Sequence, residues 1–302
     1  MDISTIIGIV CGFMAALVMS FSYFYSKHFL SRPGRDVRQL VILSHLWMGL
    51  FVAAIVPFVW KPAVLENWRA PAGASTMVLG YLTAQIFFFV TVRYVPASRL
   101  APILSAKILV VALFSWILLR EHIGVGQIAG LALAAGAVVL IQKSGVPLTR
   151  KALINVLIIC VAFATSDVSI RYVVQQLNAD PGFGTSMLTL CLMYMGTAPV
   201  VLVLYPFVIH RRKGRQPWFA ALGYAIIWFS SGVLLFLSIA LIGVVPAVLL
   251  QSLRGPLSVA FNPIVTRLGW SHLEQAQKSS SIIRQAGAAL LMVAALALYM
   301  AG

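Results

Sequence analysis

Long apolar stretches, separated by short polar connections, follow one another along the whole chain. Ten of them can be delimited, at residues 3–25, 39–60, 75–95, 98–119, 123–142, 152–174, 184–209, 217–241, 244–266 and 279–300. A helix needs about 20 apolar residues to cross a bilayer, whereas a membrane barrel strand has about ten residues of alternating character. The pattern therefore predicts an all-α polytopic membrane protein with ten transmembrane helices.

The composition excludes a water-soluble fold. Hydrophobic residues make up 61% of the chain, charged residues 10%, and the mean hydropathy is +0.97, which leaves too little polar surface to face water. Ten crossings use about 230 of the 302 residues, so no connection can hold a soluble domain. The first stretch lacks the basic residues that open a cleaved signal peptide, and we expect it to stay in the mature protein.

The 22 Lys and Arg residues, which outnumber 7 Asp and Glu, are unevenly placed. If the side that holds the N-terminus is called side A, sixteen of these cations fall on the opposite side B, four on side A and two inside the membrane. Cations concentrate on the cytoplasmic side of membrane proteins. Side B is therefore predicted to be cytoplasmic and both termini to lie outside, across a bacterial inner (plasma) membrane. The excess of positive charge then needs no nucleic-acid partner.

The same charges predict an internal repeat. The basic connections follow the first and third stretches in the first half, but the seventh and ninth in the second half. This reversal is typical of two five-helix repeats inserted with opposite topology, here residues 1–145 and 146–302. A chance pattern in one continuous bundle is the alternative. Gly130 and Gly287 occupy matching places, and small residues such as these and Gly136 are expected to let helices approach closely.

Residues 99–142 carry a recurring set of features. Pro102 comes early in a helix, Arg120 and Glu121 form a turn, and a glycine-rich helix with Gly130 and Gly136 follows. Together they resemble the drug/metabolite transporter (DMT) superfamily, EamA type. The resemblance implies ten helices as two inverted five-helix repeats over the whole chain. Members are often described with cytoplasmic termini; the charge count favours the opposite orientation, and we follow it.

Two cations lie in the interior of the predicted helices. Lys107 is in the fourth stretch and Arg254 in the ninth, which correspond under the repeat, each more than about 10 Å from either membrane surface at 1.5 Å per residue. A central cation costs roughly 2.5–3.5 kcal/mol on insertion scales, so something must compensate each one. Further polar residues could line the same central space, namely Gln85, Ser105, Gln251 and Ser252.

We expect Lys107 and Arg254 to attract an anionic group of a substrate, Arg through its planar fork and Lys as a point charge. The resemblance supports this interpretation, because sugar-phosphate and phosphoenolpyruvate antiporters of the superfamily similarly use cations on their fourth and ninth membrane helices. The alternatives are snorkelling or an internal pair with Asp167. Asp167, expected nearer side A than the midplane, is interpreted either as a counter-ion or as a proton-coupling carboxylate.

The sequence thus predicts a secondary active transporter that moves a small anionic or zwitterionic metabolite by alternating access. Alternatives are an amino-acid or metabolite exporter, a flippase for an anionic lipid headgroup and, least favoured, a membrane-embedded enzyme or scaffold. The phosphate loop, the zinc-protease motif and the serine elbow of common enzymes are absent. Cys11, Cys160 and Cys191 lie in apolar stretches without metal-site spacing. We expect no metal or cofactor, no nucleic acid, membrane lipids as surroundings, and a monomer or homodimer.

Overall fold

The computed structural model describes residues 2–92, 104–121, 123–142, 149–177, 180–209, 216–261 and 279–302. All regular elements within these ranges are helical. The elements are α1 (Ile3–Leu30), α2 (Val37–Val59), α3 (Ala63–Glu66), α4 (Arg69–Val92), a 3-10 turn (Leu104–Ala106), α5 (Lys107–Leu118), α6 (Val125–Gln142), α7 (Arg150–Gln176), α8 (Phe183–Ile209), α9 (Gln216–Ile242), α10 (Val244–Ser252), α11 (Arg254–Ala260) and α12 (Ser279–Ala301).

Six of these helices are long and apolar enough to cross a membrane: α1, α2, α4, α7, α8 and α9. Shorter apolar helices occupy the other four predicted stretches, at Leu104–Leu118, Val125–Leu140, Val244–Leu257 and Ala286–Ala301. Large apolar side chains cover the outside of the bundle, among them Phe58 at 89% exposure and Phe207 at 81%. Exposed apolar side chains of this kind are favourable in contact with lipid tails and unfavourable in contact with water. The chain is an integral, multi-pass membrane protein.

Local signals explain where individual helices begin and end. Asp36 caps α2 in a reciprocal box with Gln39, and the Thr149 side chain accepts a hydrogen bond from the Ala152 amide at the start of α7. Both caps satisfy amides that have no partner within the helix. After α5 the chain turns at Arg120, whose φ of 55° lies in the left-handed region that favours glycine. Pro102 of the same motif lies outside the described residues, as do many side B cations.

Four helix pairs pack most extensively: α4 with α7, α1 with α9, α6 with α12 and α2 with α8. Each pair includes a glycine whose missing side chain permits the close approach, and two of them meet the backbone of the neighbouring helix. A Cβ added at Gly80 in α4 would lie 2.7 Å from the Ala162 carbonyl oxygen in α7, and one at Gly130 in α6 would lie 2.7 Å from the Ala295 oxygen in α12. Gly136 faces open space, however, and a Cβ at Gly287 would reach only 3.5 Å from Leu140. The close-packing expectation therefore holds for Gly130 and is wrong for the other two.

Both cations predicted to lie inside the membrane stand at the first residue of an α-helical segment. Lys107 is the first residue of α5, directly after the 3-10 turn, and Arg254 is the first residue of α11. A turn at Leu253 separates α11 from α10. Both residues lie in the interior, at 4% exposure for Lys107 and 6% for Arg254.

Candidate functional site: a charged cavity among the helices

Lys107 is held by two oxygen atoms from different helices. Its Nζ donates hydrogen bonds to Asp167 Oδ2 in α7 at 2.7 Å and to Gln251 Oε1 in α10 at 2.6 Å. The ammonium also lies 5.5 Å from the centre of the Phe163 ring. A buried ammonium is tolerated when an opposite charge and further acceptors replace its water. Of the alternatives for these charges, the structure therefore contains the internal pair of Lys107 with Asp167.

Arg254 is buried without such compensation. Its guanidinium Nη1 lies 3.1 Å from the Met19 sulfur, and its backbone carbonyl accepts a hydrogen bond from the Ser20 hydroxyl at 3.0 Å. A thioether is a weak acceptor and carries no charge. Within the described part of the chain, the only carboxylate in an ion pair is Asp167, which pairs with Lys107. Lys107, Asp167 and Arg254 together therefore keep one uncompensated positive charge.

These three side chains line one interior cavity together with Gln251. The cavity has a volume of about 60 Å³, and a single water needs about 10–15 Å³ of such space. A few waters fit, but a metabolite does not. Binding of a larger ligand therefore requires that side chains or helices move apart, as an alternating-access cycle would do.

An aromatic wall faces the charged side chains. Tyr81, Phe163, Tyr194 and Trp228 line the cavity, and the rings of Tyr81 and Tyr194 lie 6.5 Å apart. His45 holds Tyr81 in place, with 2.9 Å between its Nε2 and the tyrosine hydroxyl. The His45 Nδ1 lies 2.8 Å from the Val41 carbonyl oxygen, so Nδ1 carries the proton and Nε2 accepts from Tyr81. None of these four aromatic residues was among the site residues predicted from the sequence.

The sequence does contain an indication that these aromatic side chains face a polar interior space. Tyr81, Tyr194 and Trp228 lie well inside their apolar stretches rather than at the headgroup level, where tyrosine and tryptophan concentrate. A buried tyrosine or tryptophan needs a polar partner for its hydroxyl or N–H group. Aromatic residues with a polar tip near the middle of a membrane helix therefore point to a polar interior space.

Three other predicted site residues are buried but do not line this cavity. Gln85 is 5% exposed and Ser105 is 2% exposed, and the Ser105 hydroxyl has no hydrogen-bond partner in the structure. The Ser252 hydroxyl donates to the Val248 carbonyl within its own helix at 2.9 Å. The structure thus brings together Lys107, Gln251, Arg254 and Asp167, and leaves Gln85, Ser105 and Ser252 outside their cavity.

Comparison with known proteins finds a family match over just under half of the chain. Residues 6–142 match the EamA-like transporter family. This match places the chain in the drug/metabolite transporter superfamily. It confirms the resemblance read from Arg120, Glu121 and the glycines of α6. The matched range includes Lys107 but ends before Asp167, Gln251 and Arg254, so twelve of the fifteen residues that line the cavity lie beyond it. Members of the EamA family are transporters.

A solved crystal structure is similar over nearly the whole chain. It covers 98% of this protein and 95% of its own chain, with a TM-score of 0.65 and 15% sequence identity. At that identity the likeness shows a shared fold and carries no information about the substrate. No curated protein compared with the chain matches it significantly.

Proposed function

We propose that the protein is a secondary active transporter for a small anionic metabolite that bears a phosphate or carboxylate group. The single observation that carries this is the positive charge of Arg254, which is 6% exposed and lines a cavity whose carboxylate is already paired with Lys107. Buried ionisable groups inside membrane helices are expensive and generally serve function. An anionic substrate would supply the missing negative charge.

The helix packing supports an arrangement of ten helices as two inverted repeats. If α1 corresponds to α7, α2 to α8, α4 to α9, α5 to α10 with α11, and α6 to α12, the contacts repeat as well. The α1–α9 pair then maps onto α7–α4, and the α2–α8 and α6–α12 pairs map onto themselves. The packing of α5 on α7 likewise maps onto that of α10 and α11 on α1. The repeats would be residues 1–145 and 146–302.

In this proposal Arg254 binds the substrate anion directly, since its planar guanidinium offers paired donors to a carboxylate or phosphate. Lys107 contributes a second positive charge, and Gln251 keeps its side chain in place. The 2.7 Å ion pair supports the counter-ion role for Asp167. The two repeats would rock about the cavity so that it opens to each side of the membrane in turn.

The driving force would be an ion gradient, exchange or the gradient of the substrate itself. Zwitterionic substrates, such as the amino acids of an exporter, would still leave the charge of Arg254 without a net partner. We therefore favour anionic substrates over zwitterionic ones.

A two-step experiment tests the proposal. A thermal-shift screen of phosphate-bearing, carboxylate-bearing and zwitterionic metabolites on the purified protein identifies ligands, because a ligand that binds the folded state stabilises it. The best ligand is then assayed for flux in proteoliposomes. Flux of a phosphate- or carboxylate-bearing compound supports the proposal. A protein that gives no substrate-dependent flux with any compound would be a scaffold, and a preference for zwitterions would favour the exporter.

A further inference from the structure

A long apolar groove runs along the outside of the bundle between α2 and α8. It has a volume of about 790 Å³, within the range of roughly 300–1,000 Å³ that ligand sites occupy. Its α2 wall extends from Leu46 to Pro57 and its α8 wall from Tyr194 to Tyr205. The groove is separate from the charged cavity, although Tyr194 lines both.

The groove exists because small residues lie where the two helices touch. A Cβ added at Gly49 in α2 would lie 2.8 Å from the Ala198 Cβ in α8. Ala53 follows one turn later on the same face, and all three residues line the groove. Leu50 and Leu202 stand at its edges with 54% and 61% of their surface exposed. The bottom of the groove is therefore formed by small side chains, and its open side faces the surrounding lipid.

The dimensions and ends of the groove fit an acyl chain. From Leu46 to Pro57 the α2 wall is about 16 Å long at 1.5 Å per residue, which is more than half of a hydrocarbon core of about 30 Å. One end carries Tyr205 and Trp218, whose ring centres lie 5.9 Å apart. Tyrosine and tryptophan mark the headgroup level of a bilayer. The groove thus starts near the headgroups and runs inward along an apolar path.

We propose that this groove is a binding site for one acyl chain of a membrane phospholipid, with the headgroup at the Tyr205–Trp218 end. The groove continues the lipid-facing surface of α2 and α8, so a phospholipid reaches it from the surrounding bilayer without crossing water. A polar metabolite has no partner there, because the lining is almost wholly apolar. Each methylene group that enters the groove gains contacts with a fixed protein surface on its inner side.

Photocrosslinking tests the site. The protein is reconstituted with a phosphatidylglycerol that carries a diazirine near the end of one acyl chain, transferred to detergent, washed, irradiated and digested for mass spectrometry. We expect the retained label on residues 46–57 and 194–205. The exposed face of α7 at Leu153 and Leu157, which are 59% and 61% exposed, serves as the reference lipid-facing surface. Equal labelling of the groove and of that surface would overturn the proposal.

A pair of variants tests the shape of the groove. Ala53→Phe fills it, whereas Ala54→Phe adds the same ring at an exposed neighbouring position that does not line the groove. We expect Ala53→Phe to lower the groove label about tenfold, the loss expected when about two methylene groups are displaced, and Ala54→Phe to leave it unchanged. Equal labelling in both variants and the wild type, or an equal loss in both, would contradict the proposal. None of these readouts requires transport, so the result stands apart from the proposed function.

Discussion

Removing the carboxylate of Asp167 should destabilise the protein far more than removing an exposed one. Asp167→Asn keeps the shape of the side chain but takes away the negative charge that lies 2.7 Å from Lys107 Nζ. Because both side chains are buried, at 5% and 8% exposure, water cannot replace the lost partner. Breaking a buried ion pair by removing one partner costs about 3–5 kcal/mol. The variant also leaves Lys107 and Arg254 as two positive charges in one cavity.

The double variant Lys107→Met/Asp167→Asn should recover much of this loss, since it buries no unpaired ammonium. The Gln251 oxygen, which accepts from Lys107 at 2.6 Å, would then lose its donor, and an unsatisfied buried acceptor costs about 1–3 kcal/mol. We expect the double variant to be less stable than the wild type by about that amount and more stable than Asp167→Asn.

The assay is the free energy of unfolding of the purified protein in mixed micelles, measured for the wild type and each variant. Asp180→Asn is the matched control, because Asp180 is exposed and surface substitutions stay within about 0.5 kcal/mol. An Asp167→Asn variant as stable as Asp180→Asn, or a double variant less stable than the single one, would contradict a stabilising role of the buried ion pair.

Three further predictions concern packing, a turn and orientation. Gly130→Val should cost about 1–3 kcal/mol in unfolding free energy, because its Cβ would meet the Ala295 oxygen, whereas Gly136→Val, which faces open space, should be neutral; equal effects would contradict the packing of α6 on α12. Arg120→Gly should raise the free energy of unfolding by up to about 1 kcal/mol, because glycine adopts the positive φ without strain. Arg120→Ala serves as the control, and an equal rise in its free energy of unfolding would show that relief of this strain is not the cause. A Ser4→Cys variant in a cysteine-free background should react with a membrane-impermeant maleimide from outside the cell; labelling only after permeabilisation would place the N-terminus in the cytoplasm and reverse the proposed orientation.

The helices could be predicted from the sequence because continuous apolar runs leave few alternatives in a membrane. The turn at Leu253 and the 3-10 turn before Lys107 are not determined by that apolar pattern, which runs through both positions. The turn predicted at Arg120 and Glu121 is present in the structure, where Arg120 adopts a positive φ of 55°.

The site could be predicted in part. Lys107 and Arg254 stand out because buried charges are rare in membrane helices, and Gln251 lies close to Arg254 in the sequence. The pairing of Lys107 with Asp167 depends on the rotation of α5 relative to α7, which the apolar pattern does not determine. For the same reason Ser105 and Ser252 do not line the cavity, although Ser105 lies two residues before Lys107 and Ser252 directly follows Gln251.

The most direct test of the central claim is the flux of the best anionic ligand into proteoliposomes that contain Arg254→Gln. Arg171→Gln is the matched control, because Arg171 donates to the Ala240 carbonyl at 2.7 Å and does not line the cavity. Losing a buried charge partner costs at least about 2 kcal/mol, so flux at a subsaturating ligand concentration should fall about 30-fold or more in Arg254→Gln and little in Arg171→Gln. Wild-type flux in Arg254→Gln, with the protein folded, would contradict the assignment of the substrate anion to this guanidinium.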